Sequence, residues 1–226
     1  MAGKLVSLHE AIARFVPDGA SIAIGSAQET LIPFAAGREI MRQRRRALTL
    51  IGPISDILFD ILIGAGCVQR ILSAWTGNVI TGSAYNFRRG VESGAVSVED
   101  YSNLTIALAL RAGAMGVPFM PTRSVLGSDL YKTNPHLKTT TCPFTGETLT
   151  AVAALNPDVA IVHVQRSDIH GNAHMWGNFG VTREACLAAG AIIMTCEEIV
   201  APEVISSDPN RVVTPGFRVS AVVHEP

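Results

Sequence analysis

The sequence predicts an α/β fold, an open and mostly parallel sheet with helices on both faces. Three observations lead there. Short apolar runs alternate with helical patterns at least five times along the chain. The run over residues 157–165, PDVAIVHVQ, is almost continuously apolar, as strands covered on both sides are. Finally, 226 residues with 48% hydrophobic and 16% charged side chains supply one sizeable core, so residues 1–226 read as a single domain.

Residues 5–16 form an amphipathic helix with Leu5, Leu8, Ile12 and Phe15 or Val16 along one side. Asp18-Gly19 turns the chain into a strand over 21–25. The loop Gly25-Ser26-Ala27-Gln28 follows, then a helix over 33–44 with Pro33 in its first turn. A small-residue loop between strand and helix aims free backbone N–H groups at an anion, although every βα unit shares that pattern. Residues 48–51 are a second strand, and 56–66 an all but wholly apolar helix closed by Gly64 and Gly66. A third strand spans 68–75, a Gly/Ser/Asn-rich surface loop 76–86, a helix 87–93 and a short strand 96–98.

Residues 99–130 read as one unit. Ser102 caps a helix in which Leu104, Leu108, Ala112 and Met115 recur at helical spacing, with Ile106 and Leu110 filling the same apolar side. Gly113 and Gly116 weaken its end, and Pro118 cannot continue it. Residues 117–121 are expected to be a short buried extended segment, emptying into the turn Gly127-Ser128-Asp129. Residues 131–146, rich in Pro and Thr, read as a long irregular covering loop. After the central strand over 157–165 come a turn at 167–173, a helix at 184–190, a strand at 191–196 and a last strand at 219–223.

Several function classes drop out. With 18 basic and 19 acidic side chains, the net charge is -1, which argues against a nucleic-acid surface. No apolar run reaches the ~18 residues of a membrane span. The amphipathic N-terminus lacks the apolar core of a signal peptide. Cys67, Cys142, Cys186 and Cys196 lie far apart and suit a reducing cytoplasm. His170 and His174 stand four apart, but Gly171-Asn172 makes a turn there and no third ligand is in place, so no metal is expected. His163 reads as a hydrogen-bonded core histidine. No G-x-S-x-G elbow or P-loop occurs. Glu197 and Glu198 are adjacent on a strand and would point to opposite faces, so they form no catalytic dyad.

The unit over 99–130 also carries a resemblance. Its lead-in Glu99-Asp100-Tyr101-Ser102, its Gly116-Val117-Pro118-Phe119 and its turn Gly127-Ser128-Asp129-Leu130 resemble the A subunit of family I CoA-transferases, of the glutaconate and 3-oxoadipate type. Leu62-Ile63-Gly64-Ala65-Gly66, the turn Ser167-Asp168-Ile169-His170-Gly171-Asn172-Ala173 and above all Cys142-Pro143-Phe144-Thr145-Gly146-Glu147 extend the match. Relatives carry a Gly-Gly-Phe-like first loop where this chain has Gly25-Ser26-Ala27, and they usually continue beyond Pro226.

The resemblance implies a NagB/RpiA-like fold and CoA transfer through a glutamate. That glutamate attacks an acyl-CoA to give an anhydride, and CoA thiolate converts the anhydride to a glutamyl-CoA thioester. In the family it lies in the partner B subunit, in a Ser-Glu-Asn-Gly-like motif that this chain lacks. The A subunit lends an amide at the start of a helix. Lined up on Gly116-Val117-Pro118-Phe119, the position is Asn103, otherwise a second cap candidate beside Ser102. Many relatives have glutamine there, and ring-opening hydrolases an acid. Gly25, Ser26, Gln28, Gly127 and Ser128 are the expected substrate contacts. Coenzyme A is expected as a substrate, with no resident cofactor. The expected partners are a B subunit in an A2B2 or larger assembly, succinyl-CoA and a short dicarboxylic or 3-oxo acid. The alternatives are a CoA-dependent hydrolase or hydratase on the same scaffold, or a non-catalytic ligand-binding regulatory module.

Overall fold

The computed structural model of the chain describes residues 3–27, 30–55, 57–77 and 82–226. The first helix, α1 (Leu8–Phe15), opens on Ser7, whose hydroxyl accepts from the Glu10 N–H while the Glu10 carboxylate accepts from the Ser7 N–H. Then come β1 (Ser21–Ile24), α2 (Phe34–Arg42), β2 (Leu48–Ile51), β3 (Ile54–Ser55), α3 (Ile57–Gly64), β4 (Val68–Ser73) and β5 (Trp75–Thr76). Next are α4 (Tyr85–Glu92), β6 (Ser97–Asp100), α5 (Asn103–Met115), β7 (Phe119–Thr122), α6 (Leu130–Thr133), β8 (Leu137–Thr141) and β9 (Thr148–Ala153). The chain goes on through β10 (Val159–Ser167), β11 (Ala173–His174), α7 (Thr182–Ala188), β12 (Ala191–Ile199), α8 (Pro202–Ser206) and β13 (Ala221–His224).

The main sheet runs β13-β12-β10-β1-β2-β4-β6, every neighbour parallel, with β11 added antiparallel to β10. From β1 the chain winds outward to the β6 edge. It then returns to β10 at the other side of β1 and winds to the opposite edge. That reversal opens a crevice beyond the carboxyl ends of β1 and β10, where ligands of such sheets gather.

Strand alternation splits the core into two layers. Ile22 and Ile24 of β1 pack with α1, α2 and α3, while Ala23 faces α5 and α7. Both faces of the sheet are therefore covered, as the apolar strands predict. Among the described residues, no helix is long and apolar enough to cross a membrane.

The region after α5 departs from the sequence reading. Residues 131–146 are not an irregular loop: they contain most of α6 and all of β8, and β8 joins β9 and β7 in an antiparallel sheet of order β7-β9-β8. The threonines over 139–141 read as loop polarity, yet their β-branched side chains, like those of Thr148 and Thr150 on β9, suit a one-sided sheet. Residues 117–121 are not a buried segment either. Phe119 on β7 is 40% exposed, and Pro121 is tolerated because β7 is an edge strand.

The apolar side assigned to α5 is corrected in part: Ile106, Leu110 and Ala112 are buried, whereas Leu104 and Met115 are not. Leu104 is 49% and Met115 60% exposed. The buried stripe is Thr105, Ile106, Ala109, Leu110 and Ala112, which packs on the sheet and on α7. A helix apolar nearly all round gives no periodic signal to choose between its faces.

Candidate active site

The β6–α5 turn is built by a capping box. The Ser102 hydroxyl accepts from the Thr105 N–H at 3.1 Å, and the Thr105 hydroxyl accepts from the Ser102 N–H at 2.8 Å. α5 ends on Gly116 at φ +69°, a left-handed cap that a side chain would strain. Ser102 is thus the cap, as the sequence indicates, and Asn103 is the first helical residue. Asn103 is exposed, and among the described residues nothing hydrogen-bonds its side-chain amide. It stands just beyond the carboxyl end of β6.

The loop after β1 is of a different kind. Gly25 and Ser26 are buried, with Ser26 3% exposed. Among the described residues the Ser26 hydroxyl finds no hydrogen-bond partner. Its carbonyl accepts from the Val181 N–H at 2.9 Å, and Gly180 presses so close that a Cβ there would meet the same oxygen at 2.2 Å. Gln28 lies outside the described residues. In the sheet β2 and β4 stand between β1 and β6, so three spacings, roughly 14 Å, part the two strand ends. The chain does not close a site around Ser26 and Asn103 with its own strands.

Gly127 and Ser128 sit elsewhere. Their turn follows β7, which belongs to the antiparallel sheet, so the carboxyl-edge argument does not apply to it. Gly127 is exposed, and the Ser128 hydroxyl donates to the Val125 carbonyl at 2.8 Å within the turn.

Other candidate chemistry resolves into structure. Glu197 and Glu198 do point to opposite faces. Glu197 lies 3.7 Å from His163 Nε2, and Glu198 pairs with Arg166 at 2.7 Å. The His163 Nδ1 lies 2.8 Å from the Thr195 hydroxyl oxygen, whose own hydrogen goes to the Val162 carbonyl. Nδ1 is therefore the donor, and Nε2 faces Glu197 across a hollow rimmed by Arg38 and Glu225. Burial holds His163 below the ordinary histidine range, against the pull of Glu197 and Glu225. His174 is buried with Nε2 2.9 Å from the Ile205 carbonyl. Among the described residues no cluster of His, Cys, Asp or Glu could hold a metal ion.

A family model described as coenzyme A transferase matches residues 5–225. The chain belongs to the coenzyme A transferase family. It is 42% identical over 226 residues to the A chain of the 3-oxoadipate CoA-transferase of Pseudomonas knackmussii, covering 99% of this chain and 79% of that one. The crystal structure of glutaconate coenzyme A-transferase from Acidaminococcus fermentans superposes with a TM-score of 0.92 at 34% identity, over 99% of this chain and 76% of that one. A cholesterol ring-cleaving hydrolase IpdA subunit of Rhodococcus jostii is 31% identical over 88% of this chain and 70% of its own length. The chain is an enzyme subunit of the A type, with the family's open α/β sheet.

Two features lie outside the residues that the sequence reading assigned to the site. Gly180 packs against the Ser26 carbonyl of the β1 loop, and Glu99, named there only as part of the family lead-in, is 8% exposed. Glu99 carried a signal, since Glu99 and Tyr101 alternate on one face of an extended segment. Gly180 carried none, because close approach to Ser26 is a long-range contact.

Proposed function

We propose that this A subunit works with a B subunit that supplies the nucleophilic glutamate, and that Asn103 is the amide it contributes. The observation that supports the reading is the Asn103 side chain, exposed and without a hydrogen-bond partner among the described residues, on a separately capped helix at the carboxyl edge of the sheet. The partner's carboxylate attacks the thioester carbonyl and CoA thiolate leaves, giving an acyl-glutamyl anhydride. The thiolate then attacks the glutamyl carbonyl, forming the glutamyl-CoA thioester and releasing the first carboxylate. An acceptor carboxylate reverses both steps. The Asn103 N–H stabilises the oxyanion that develops at the carbonyl or holds the glutamate in line. Coenzyme A is a substrate here, and no resident cofactor is required.

The donor is succinyl-CoA and the acceptor a short dicarboxylic or 3-oxo acid such as 3-oxoadipate or glutaconate. This follows the similarity to chains named for those acids. The partner covers the side of α5 next to Asn103, where Leu104 and Met115 stay exposed although apolar. The assembly is A2B2 or larger, working in the cytoplasm, where thiols such as the four here stay reduced.

The resemblance to hydrolase subunits favours a second reading, hydrolysis of a CoA ester or ring. That chemistry needs a base at the Asn103 position. An amide cannot serve as one; of the two carboxylates close by, Glu99 is turned inward onto Tyr101, and Asp100 is exposed at the end of β6. The test is co-expression with a Ser-Glu-Asn-Gly-bearing partner, followed by a screen of acceptor acids with succinyl-CoA. CoA transfer to a dicarboxylic or 3-oxo acid is the expected result. Release of free CoA with water as sole acceptor would replace transfer by hydrolysis.

A further inference from the structure

Among the described residues, three carboxylates are buried: Glu39, Glu99 and Asp168. A buried carboxylate is costly unless charges or several donors compensate it. Glu39 pairs with the Arg42 guanidinium and bonds to Gln43 and His9, each at 2.9 Å. Asp168 accepts from the N–H groups of His170 and Asn172 and from the Asn172 amide, at 2.7–3.0 Å. Glu99 has less. It accepts from the Tyr101 hydroxyl at 2.9 Å and faces His136 Nε2 at 3.4 Å. Neither partner carries a permanent charge. Burial, then the Glu99 charge, pushes the Tyr101 hydroxyl far above its ordinary value, so it stays a donor.

The least compensated of the three lies four residues before Asn103. A second contact grips the same turn, because the buried Asn134 amide donates to the Asp100 carbonyl at 2.7 Å. Asn134 also accepts the His136 N–H at 2.8 Å. Residues 134–136, between α6 and β8, thus hold two consecutive residues of β6, Glu99 by its side chain and Asp100 by its backbone. Through them the antiparallel sheet is latched to the turn that presents Asn103. A partly compensated polar network costs stability but admits one arrangement where apolar packing would admit several.

We propose that Glu99, held by Tyr101 and His136, is a positioning residue that sets where the Asn103 amide stands in the reaction. The inference rests on the transferase reading of Asn103. Misplacing a positioned group by about 1 Å can cost about 10²-fold, and a near-isosteric change at Glu99 should cost roughly tenfold.

The experiment is steady-state kinetics of the reconstituted complex with Glu99→Gln, Asn103→Ala and the double variant, with succinyl-CoA as donor. Expected is a fall of about tenfold in kcat for Glu99→Gln with KM within about twofold. In the Asn103→Ala background, Glu99→Gln should add no further loss, since both act through one group. Losses that multiply in the double variant, or an unchanged kcat in folded Glu99→Gln, would overturn the positioning role while leaving the transferase reading intact. An unchanged kcat for Asn103→Ala would overturn both. Tyr101→Phe, which removes the donor without adding charge, should show the same coupling and takes the place of Glu99→Gln if that variant fails to fold.

Discussion

The loop after β1 and the turn after β6 meet the same edge of the sheet and offer opposite things. At β1 Gly25, Ser26 and Ala27 are small and buried, the Ser26 hydroxyl has no hydrogen-bond partner among the described residues, and Gly180 and Val181 press on the Ser26 carbonyl. At β6 the backbone is satisfied by its own capping box and an exposed amide projects. The first can contribute shape and backbone, the second a side chain. Ser26 and Asn103 are not the carboxylate that the proposed reaction uses as nucleophile, so on the proposed reading the two loops form half of a site and a B subunit brings the other half.

The widest test of that division is the chain alone. Without a partner it should show no CoA exchange between succinyl-CoA and glutaconate or 3-oxoadipate, followed by thioester absorbance. Turnover by the pure chain would mean that the chain supplies its own nucleophile.

Gly180→Ala should break the β1 loop and spare the β6 turn. Gly180 has φ +50°, and its new Cβ would stand 2.2 Å from the Ser26 oxygen. Left-handed strain and overpacking together should cost about 2–4 kcal/mol in chemical unfolding. A loss under about 0.5 kcal/mol would show that the clamp yields easily. Ser102→Ala acts on the other side of the comparison. Removing that cap should cost about 1 kcal/mol of stability, and hydrogen exchange should rise first at the Asn103–Thr105 amides.

The smallest effect is a pH dependence from His163, on the strand beside β1. Its folded value is depressed by burial, so the unfolded chain takes up this proton more readily. Its stabilising contribution is full above about pH 6.5, the unfolded value, and is lost as pH falls through the folded one. His163→Gln should flatten that part of the acid limb of a stability curve. An unchanged limb would assign the acid sensitivity to other groups.

What the sequence revealed follows burial. The parallel strands are covered on both sides, and runs such as Val159–Ser167 announce themselves by continuous apolarity. The capping of α5 by Ser102 and its end at Gly116 were legible because caps are local chemistry. The antiparallel sheet was not, because its threonines look like loop and its partners lie far along the chain. The outward face of α5 was misread because Leu104 and Met115 are as apolar as the residues behind them. Asn103 could be singled out only through the family resemblance. Spacing alone makes it no more than a second cap candidate beside Ser102, and the structure gives the cap to Ser102.

The amide at Asn103 carries the account, and one variant tests it most directly. In the reconstituted complex, Asn103→Ala should lower kcat by about 10²–10³, or roughly 3–4 kcal/mol of transition-state stabilisation. KM should move little, because the interaction is strongest in the transition state. The melting temperature should hold, since Ser102 and not Asn103 caps the helix. A lowered melting temperature with unchanged kcat would contradict the account and make Asn103 a structural residue.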